Sequence, residues 1–466
     1  MIYIIVLLPF LAIFLSILLL RDLFKASLIT YLITLFISFI YGVYFHEILI
    51  ANLDSLFTAF RVFLLVFSLL LLFKIVEKEN KSFFLSFKQK NFLVFITIGV
   101  FLTILLEGLV GFGTPGMICT KTLYNLNFNP VLSASVSLIS DSYSTFGAFA
   151  TPIIIGNKDL ESLEFVKLVG YVFSILAFFI LFSSYFLYTK LEKKENINFN
   201  EIVKIIIAFS IFSLIVFAIS RTDFFIFTII FAALGAIIYL FIENVTIFKN
   251  FLKVFYPFFI SIIAFVFLKF LNVELINKIL SNFNIAPIVL LISLILIILK
   301  EREEKIKIYN ESLDLLNKSL KLFLIIFFLS FLSSYLTFSG RNSTNSPSVL
   351  DIINQHLVKI DKDVYFFIAP LIGIFGAFIF GSATLSNLTF VNIQKEIALE
   401  LGLDVNKIVA LQNIGAGLGN MISLFNIIAI TTMIDELKGK EIEILKINFV
   451  LVILFFFISS LIIYLL

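Results

Sequence analysis

The chain alternates long apolar runs with short polar joints. Runs with little or no charge lie near 1–20, 24–44, 56–74, 92–106, 164–189, 203–220, 224–242, 254–272, 285–300, 320–338, 364–380 and 447–466. About 20 mostly apolar residues in a helix cross the ~30 Å hydrocarbon layer of a bilayer. Each run is therefore predicted as a membrane-spanning helix. The run 1–20 has no basic leading segment and no small-residue cleavage site, so it reads as a first span and not as a removed signal. Two other stretches do not divide into simple spans. Between Glu107 and Lys158 the only charges are Lys121 and Asp141, and 408–434 is uncharged but dotted with Gly, Asn and Ser.

The charged joints orient the spans. Arg21 and Lys25 follow the first run, and Lys74, Lys78, Lys81, Lys88 and Lys90 follow the third. Lys190, Lys193, Lys194 and Lys204 form another group, and Lys300, Arg302, Lys305, Lys307, Lys318 and Lys321 the largest. Basic loops stay in the cytoplasm. Placing all four there gives consistent alternation and puts the N-terminus outside. The last group is mixed with Glu301, Glu303, Glu304, Glu311 and Asp314, the pattern of a solvated linker helix over 300–321. Two membrane halves follow, 1–245 and 250–466, with that linker inside the second.

Composition sharpens the picture. Of 466 residues, 61% are hydrophobic and 14% charged, against about 45–50% and 25% in soluble domains. A soluble enzyme and a disordered chain are excluded. The net charge of +3 gives no footprint for nucleic acid. A single cysteine, Cys119, permits no internal disulfide. Two histidines, His46 and His356, cannot build a zinc site. No nucleophile–base constellation argues for an enzyme, no cofactor is implied, and no phosphate-binding loop argues for ATP-driven transport.

The polar, glycine-rich segments carry the candidate chemistry. Glu107-Gly108-Leu109-Val110-Gly111-Phe112-Gly113-Thr114-Pro115-Gly116 directly follows an apolar run. Gly and Pro at this density interrupt a helix and free backbone groups. At membrane depth such groups survive only where protein or a watery cavity covers them. A re-entrant or discontinuous helix is therefore expected, with a second break over 140–152. The other half repeats the idea: Gly373, Gly376 and Gly381 lead into Ser382-Ala383-Thr384-Leu385-Ser386-Asn387, and Asn413, Gly415, Gly417, Gly419 and Asn420 follow. With motif regions 107–156 and 373–432 entered from opposite sides, the halves are expected to be inverted repeats with a site near the midplane. Close packing by small residues is the alternative reading, but it does not explain Asn387, Asn413 and Asn420.

Glu107 and Asp141 sit in apolar surroundings, where a charge costs roughly 2.5–3.5 kcal/mol. Protonation removes that cost, so Glu107 is the first candidate for proton coupling and Asp141 the second. Their other reading is as caps of a broken helix or partners of Lys121. Arg61, inside the third run, reads as a structural or snorkelling charge. The segment Gly340-Arg341-Asn342-Ser343-Thr344-Asn345-Ser346-Pro347 reads as an exposed loop.

These motifs resemble the L-lactate permease family, which includes glycolate permeases. The likeness lies in Glu107-Gly108, Gly111-Phe112-Gly113-Thr114-Pro115, Phe146-Gly147-Ala148 with Thr151-Pro152-Ile153, Gly376-Ala377-Phe378 with Gly381-Ser382, Thr384 and Ser386-Asn387, and Asn413, Gly415, Gly417, Gly419 with Met421-Ile422-Ser423. The apolar runs and the two undivided stretches predict an all-α polytopic membrane protein of about 12–14 membrane segments, and the resemblance implies an inner-membrane secondary carrier. It implies uptake of a 2-hydroxymonocarboxylate with protons, and sodium-coupled uptake of another organic anion is the alternative. Gly113, Thr114, Ser382, Thr384, Ser386, Asn387, Asn413 and Ser423 become pocket candidates, joined by Pro115, Thr145, Gly147 and Asn420 in the same segments. The chain departs from the family at Ala383, where an acidic residue is usual, at Asn420, where Lys is usual, and at Leu424-Phe425, where Pro-Gln is usual.

Overall fold

The computed structural model describes residues 8–9, 11–13, 15–16, 19–20, 22–75, 90–111, 114–157, 164–192, 199–242, 244–271, 273–300, 302–349, 351–352, 355, 360–431 and 434–466. Most of the expected span 1–20 lies outside them, as do Gly113, His356 and Lys158 and the lysines at 78, 81, 88, 193 and 194. The protein is an all-α, polytopic membrane protein. Nine helices among the described residues are long and apolar enough to cross a bilayer, and three shorter apolar helices accompany them. Large apolar side chains cover the outer surface; Phe182, for example, is 77% exposed. Such a surface suits lipid as the solvent.

Two helices open the described fold, α1 (Leu23–Ile40) and α2 (Phe45–Ile75). Asp22 caps α1, its carboxylate accepting from the Phe24 and Lys25 amides. α2 starts well before the run at 56–74 expected from hydropathy. Glu47 and Asp54 lower the local hydropathy while the helix continues, because both line a polar cavity.

A five-helix unit follows. α3 (Phe92–Leu109) contains a π-helical stretch, Thr97–Leu102, and ends at Val110. α4 (Thr114–Asn125) and α5 (Pro130–Ser140) form a hairpin, with Asn129 capping α5 ahead of its Pro at the first turn. A 3-10 turn, Asp141–Phe146, separates α5 from α6 (Gly147–Gly156), and α7 (Glu164–Leu191) completes the unit.

The middle of the chain holds α8 (Phe199–Ile219), α9 (Thr228–Phe241), α10 (Val245–Phe270), α11 (Glu274–Phe283), α12 (Ala286–Leu299) and α13 (Arg302–Phe338). The mixed-charge linker is not a separate element: it is continuous with the span after it. α13 has 37 residues, about 55 Å at 1.5 Å per residue, longer than a bilayer core, so its charged start projects beyond the apolar part. Lys74–Glu311 and Lys321–Asp22 ion pairs tie that end to α2 and α1. At the opposite end, Val43 bridges Asn342 and Arg341 pairs with Glu47. The 340–347 loop is therefore not simply exposed. Asn342 is buried, and its carboxamide bonds Ser339, Thr344 and Ser346.

A second unit closes the chain: α14 (Lys362–Phe380), α15 (Ala383–Glu400), α16 (Val405–Asn420), α17 (Leu424–Thr431) and α18 (Glu441–Leu465). Its order repeats the first: helix, break, helix, short capped loop, helix, break, short helix, long helix. The packing between units is reciprocal. α6 packs on α15 and α17 on α4; α7 packs on α16 and α18 on α5; α7 and α18 touch each other. Within the second unit, α14 and α16 lie so close that a Cβ at Gly373 or Gly415 would overlap the carbonyls of Gln412 and Pro370.

Candidate functional site

The breaks of the two units meet. Gly381 adopts φ +66° and closes α14, and Ser382 starts α15, its hydroxyl accepting from the Leu385 amide at 3.4 Å. On the first unit's side, α3 ends at Val110 with Gly111 at φ +68°. α6 begins with three successive non-glycine residues in the left-handed region, Ala148, Phe149 and Ala150, at φ 42–55°. Left-handed backbone costs roughly 1–2 kcal/mol per such residue. The conformation is held from outside the segment: Asn284 donates its carboxamide to the Phe149 carbonyl at 3.0 Å.

A small cavity lies where these breaks converge. Glu107, Gly147, Ser382, Thr384 and Asn420 line it, together with Gly111, Ser144 and Ala383. It offers about 20 Å³ to the centre of a water molecule, space for roughly one water. Five candidates taken from four separate segments of the sequence thus line one cavity.

The carboxyl groups of Glu107 and Asp141 are buried neighbours that interact with each other. Both residues are buried, and Glu107 Oε2 and Asp141 Oδ1 find no donor among the described residues. The other Asp141 oxygen, Oδ2, accepts from Asn426 Nδ2 at 3.3 Å. Ionised carboxylates only accept, so a hydrogen bond between the two requires one proton. Among the described residues no three His, Cys, Asp or Glu side chains gather as a metal site.

Asn420 is also buried. Its Nδ2 donates to Ser144 Oγ at 2.7 Å, and its Oδ1 has no partner among the described residues. The free amide end belongs to a side chain that lines the cavity.

A second cluster lies along the contact of α6 with α15 and α16. Asn387 Nδ2 donates to Asn413 Oδ1 at 2.7 Å and to the Pro152 carbonyl at 3.3 Å. Asn413 Nδ2 donates to Asn157 Oδ1 at 3.1 Å, and Thr145 donates to the Asn413 carbonyl at 2.7 Å. Asn387, Asn413 and Thr145 therefore stand together, beside the cavity and not on its wall.

The remaining candidates are spread. Ser386 donates to the Gly373 carbonyl at 2.9 Å and accepts from Gln412 at 3.3 Å, binding α14, α15 and α16 together. Ser423 accepts from the Asn426 amide at 3.4 Å, capping α17. Thr114 and Pro115 begin α4. Arg61 is committed elsewhere: its guanidinium donates to the Asn282 carbonyl, beside the C-terminus of α11, and lies over the Phe57 ring.

The sequence reading did not single out Asn157, Ser144, Gln394 or Tyr365. Tyr365 donates to Gln394 Oε1 at 2.6 Å, and Gln394 Nε2 donates to Gln412 Oε1 and the Ala369 carbonyl, each at 3.1 Å. Polar side chains within apolar helices were the available signal, and it is the same signal that marked Asn387.

A multi-pass membrane protein in which two helix–break–helix units converge on a small polar cavity is the class that the fold and site define. The chain belongs to the L-lactate permease family, whose pattern it matches over residues 3–199 and 188–466. It is 31% identical over 114 residues to the "Putative L-lactate permease" of Haemophilus influenzae, covering 24% of this chain and 21% of that one. It is 33% identical over 105 residues to the "L-lactate permease" of Salmonella typhi (22% and 19%) and 35% identical over 103 residues to that of Bacillus subtilis (22% and 18%). These matches span about a fifth of each curated relative's length. No solved structure matches the chain.

Proposed function

We propose that this protein is a secondary carrier that moves a small 2-hydroxymonocarboxylate such as lactate across the bacterial plasma membrane together with a proton. The observation that carries the reading is the Glu107–Asp141 pair beside a cavity walled by broken helices. Two ionised carboxylates in contact repel. One proton turns that contact into a hydrogen bond and removes one buried charge. Taking up or releasing it changes the charge beside the cavity by one unit, which is the coupling a carboxylate–proton symporter needs. The anion and proton then cross together without net charge.

The other wall supports the anion's place. Ser382, Ala383 and Thr384 open α15, and amides in a first helical turn favour negative charge. The free amide end of Asn420 supports a hydroxyl on the substrate. A hydroxyl both donates and accepts, so it pairs with either end of a carboxamide. Ala383 and Asn420 carry no charge, which leaves the Glu107–Asp141 pair to set the cavity's electrostatics.

The two units are read as the cores of inverted halves, 1–245 and 250–466, with the N-terminus outside. With room for about one water, the site must open to admit substrate, as alternating movement of the two units provides. Uptake into proteoliposomes tests the proposal. An inward proton gradient, with sodium replaced by choline, is expected to accelerate lactate or glycolate uptake. No acceleration for any small carboxylate overturns it.

A further inference from the structure

A much larger cavity lies elsewhere in the molecule, between α2, α13 and α15. Its volume is about 400 Å³, which accommodates a three-carbon acid with several waters, each occupying about 30 Å³ in the liquid. Its lining is polar along its length. α2 contributes Asp54, Ser55 and Thr58, and α13 contributes Ser330 and Ser334. Asn392 and Lys395 come from α15. Such a surface inside a membrane protein is stable when water fills it.

Its position gives it direction. Glu47 and Arg341 lie at the end where the 341–344 strand of loop meets Val43 and Tyr44. The other end is floored by Gly156 of α6 and Leu388 of α15. That floor is thin: a Cβ on Gly156 would overlap Asn387, whose carboxamide belongs to the buried cluster with Asn413 and Asn157. α6 and α15 are also the two elements whose starting residues line the small cavity. One helix contact thus forms both the floor of the large cavity and walls of the small one.

From this juxtaposition we infer that the large cavity is the water-filled vestibule through which the small carboxylate enters, and that separation of α6 from α15 at Gly156 and Asn387 opens its floor. The inference rests on the carrier reading above. The opposite end of α2 and the charged start of α13 bear Lys74 and Lys321, and basic ends face the cytoplasm, so the vestibule opens outward. Three acids line it (Glu47, Asp54 and Glu396) against two bases (Arg341 and Lys395). It admits a small hydrated solute without concentrating anions, and selection follows beyond the floor.

Cysteine labelling tests this cleanly, because the chain has one cysteine, Cys119, which is buried. In a Cys119→Ser parent, Ser334→Cys and Ser55→Cys are each treated on intact cells with a charged, membrane-impermeant methanethiosulfonate, and Phe182→Cys on the lipid-facing surface serves as control. Both vestibule cysteines are expected to gain the label's mass and to lose lactate uptake on labelling, and the control to remain unlabelled. Absence of labelling from outside, or full labelling with uptake unchanged, overturns the vestibule. Normal labelling of both cysteines in a parent that transports no small carboxylate overturns the carrier reading instead, and with it the vestibule's cargo.

Discussion

The hydroxyl of Thr145 donates to the backbone carbonyl of Asn413 over 2.7 Å, linking positions 268 residues apart. The bond ties the 3-10 turn after α5 to the middle of α16, so the interrupted part of one unit is fastened to the matching helix of the other. Asn413 then reaches Asn157 and Asn387 through its side chain. A buried amide network of this kind resists removal of any one member, because the others are left unsatisfied. Asn157→Ala and Asn413→Ala are expected to be coupled by about 0.5–3 kcal/mol in a double-mutant cycle. Thermal unfolding in detergent measures it, and additive losses would contradict the network.

Glycine placement makes a contrasting pair of substitutions. At Gly415 a Cβ meets the Pro370 backbone, whereas at Gly439, with φ +81°, it meets nothing within 4 Å. Gly415→Ala is expected to force α14 and α16 apart at about 1–3 kcal/mol. Gly439→Ala carries only left-handed backbone strain, about 1 kcal/mol. The melting temperatures of the two variants should differ in that order. Equal shifts would show that the helix contact has slack.

Arg61 is expected to matter for folding and not for substrate affinity. Its guanidinium serves the end of α11, where a partly buried cation at a helix C-terminus contributes up to about 2 kcal/mol. Arg61→Gln should lower the yield and melting temperature of the carrier while leaving the KM of uptake unchanged. A large rise in KM at normal stability would make Arg61 an anion anchor.

Asn420 should set preference for a hydroxylated acid. Asn420→Leu removes the carboxamide, whose Oδ1 has no partner among the described residues, from the cavity's lining. It is expected to narrow the preference for lactate over propionate by about tenfold, the equivalent of one hydrogen bond at ~1.4 kcal/mol. Competition of each acid against labelled lactate measures the ratio. An unchanged ratio would remove Asn420 from substrate recognition.

Much of the architecture was legible because its cause is local. Gly111 and Gly381 take positive φ where α3 and α14 end, so those two interruptions could be placed from residues alone, whereas Gly108, Gly373, Gly376, Gly415, Gly417 and Gly419 stay inside helices. Glu107 and Asp141 stood out because carboxylates are costly among apolar neighbours. That the two face each other could not be read, since it depends on how α3 packs against the turn after α5. The start of α2 was hidden by Glu47 and Asp54, which lower hydropathy without ending a helix. Asn157 was missed because it follows the last turn of α6, where a polar residue ordinarily meets solvent. Only the approach of α15 and α16 makes it a core residue.

The central claim is that the Glu107–Asp141 pair carries the transported proton. Lactate uptake by proteoliposomes containing Glu107→Gln, compared with the unaltered protein under the same inward proton gradient, tests it most directly. The amide keeps the side chain's shape and cannot exchange the proton. The account predicts that gradient-driven accumulation is lost while exchange of labelled for unlabelled lactate continues. Accumulation at the unaltered level would show that Glu107 is only a structural group and would contradict the account.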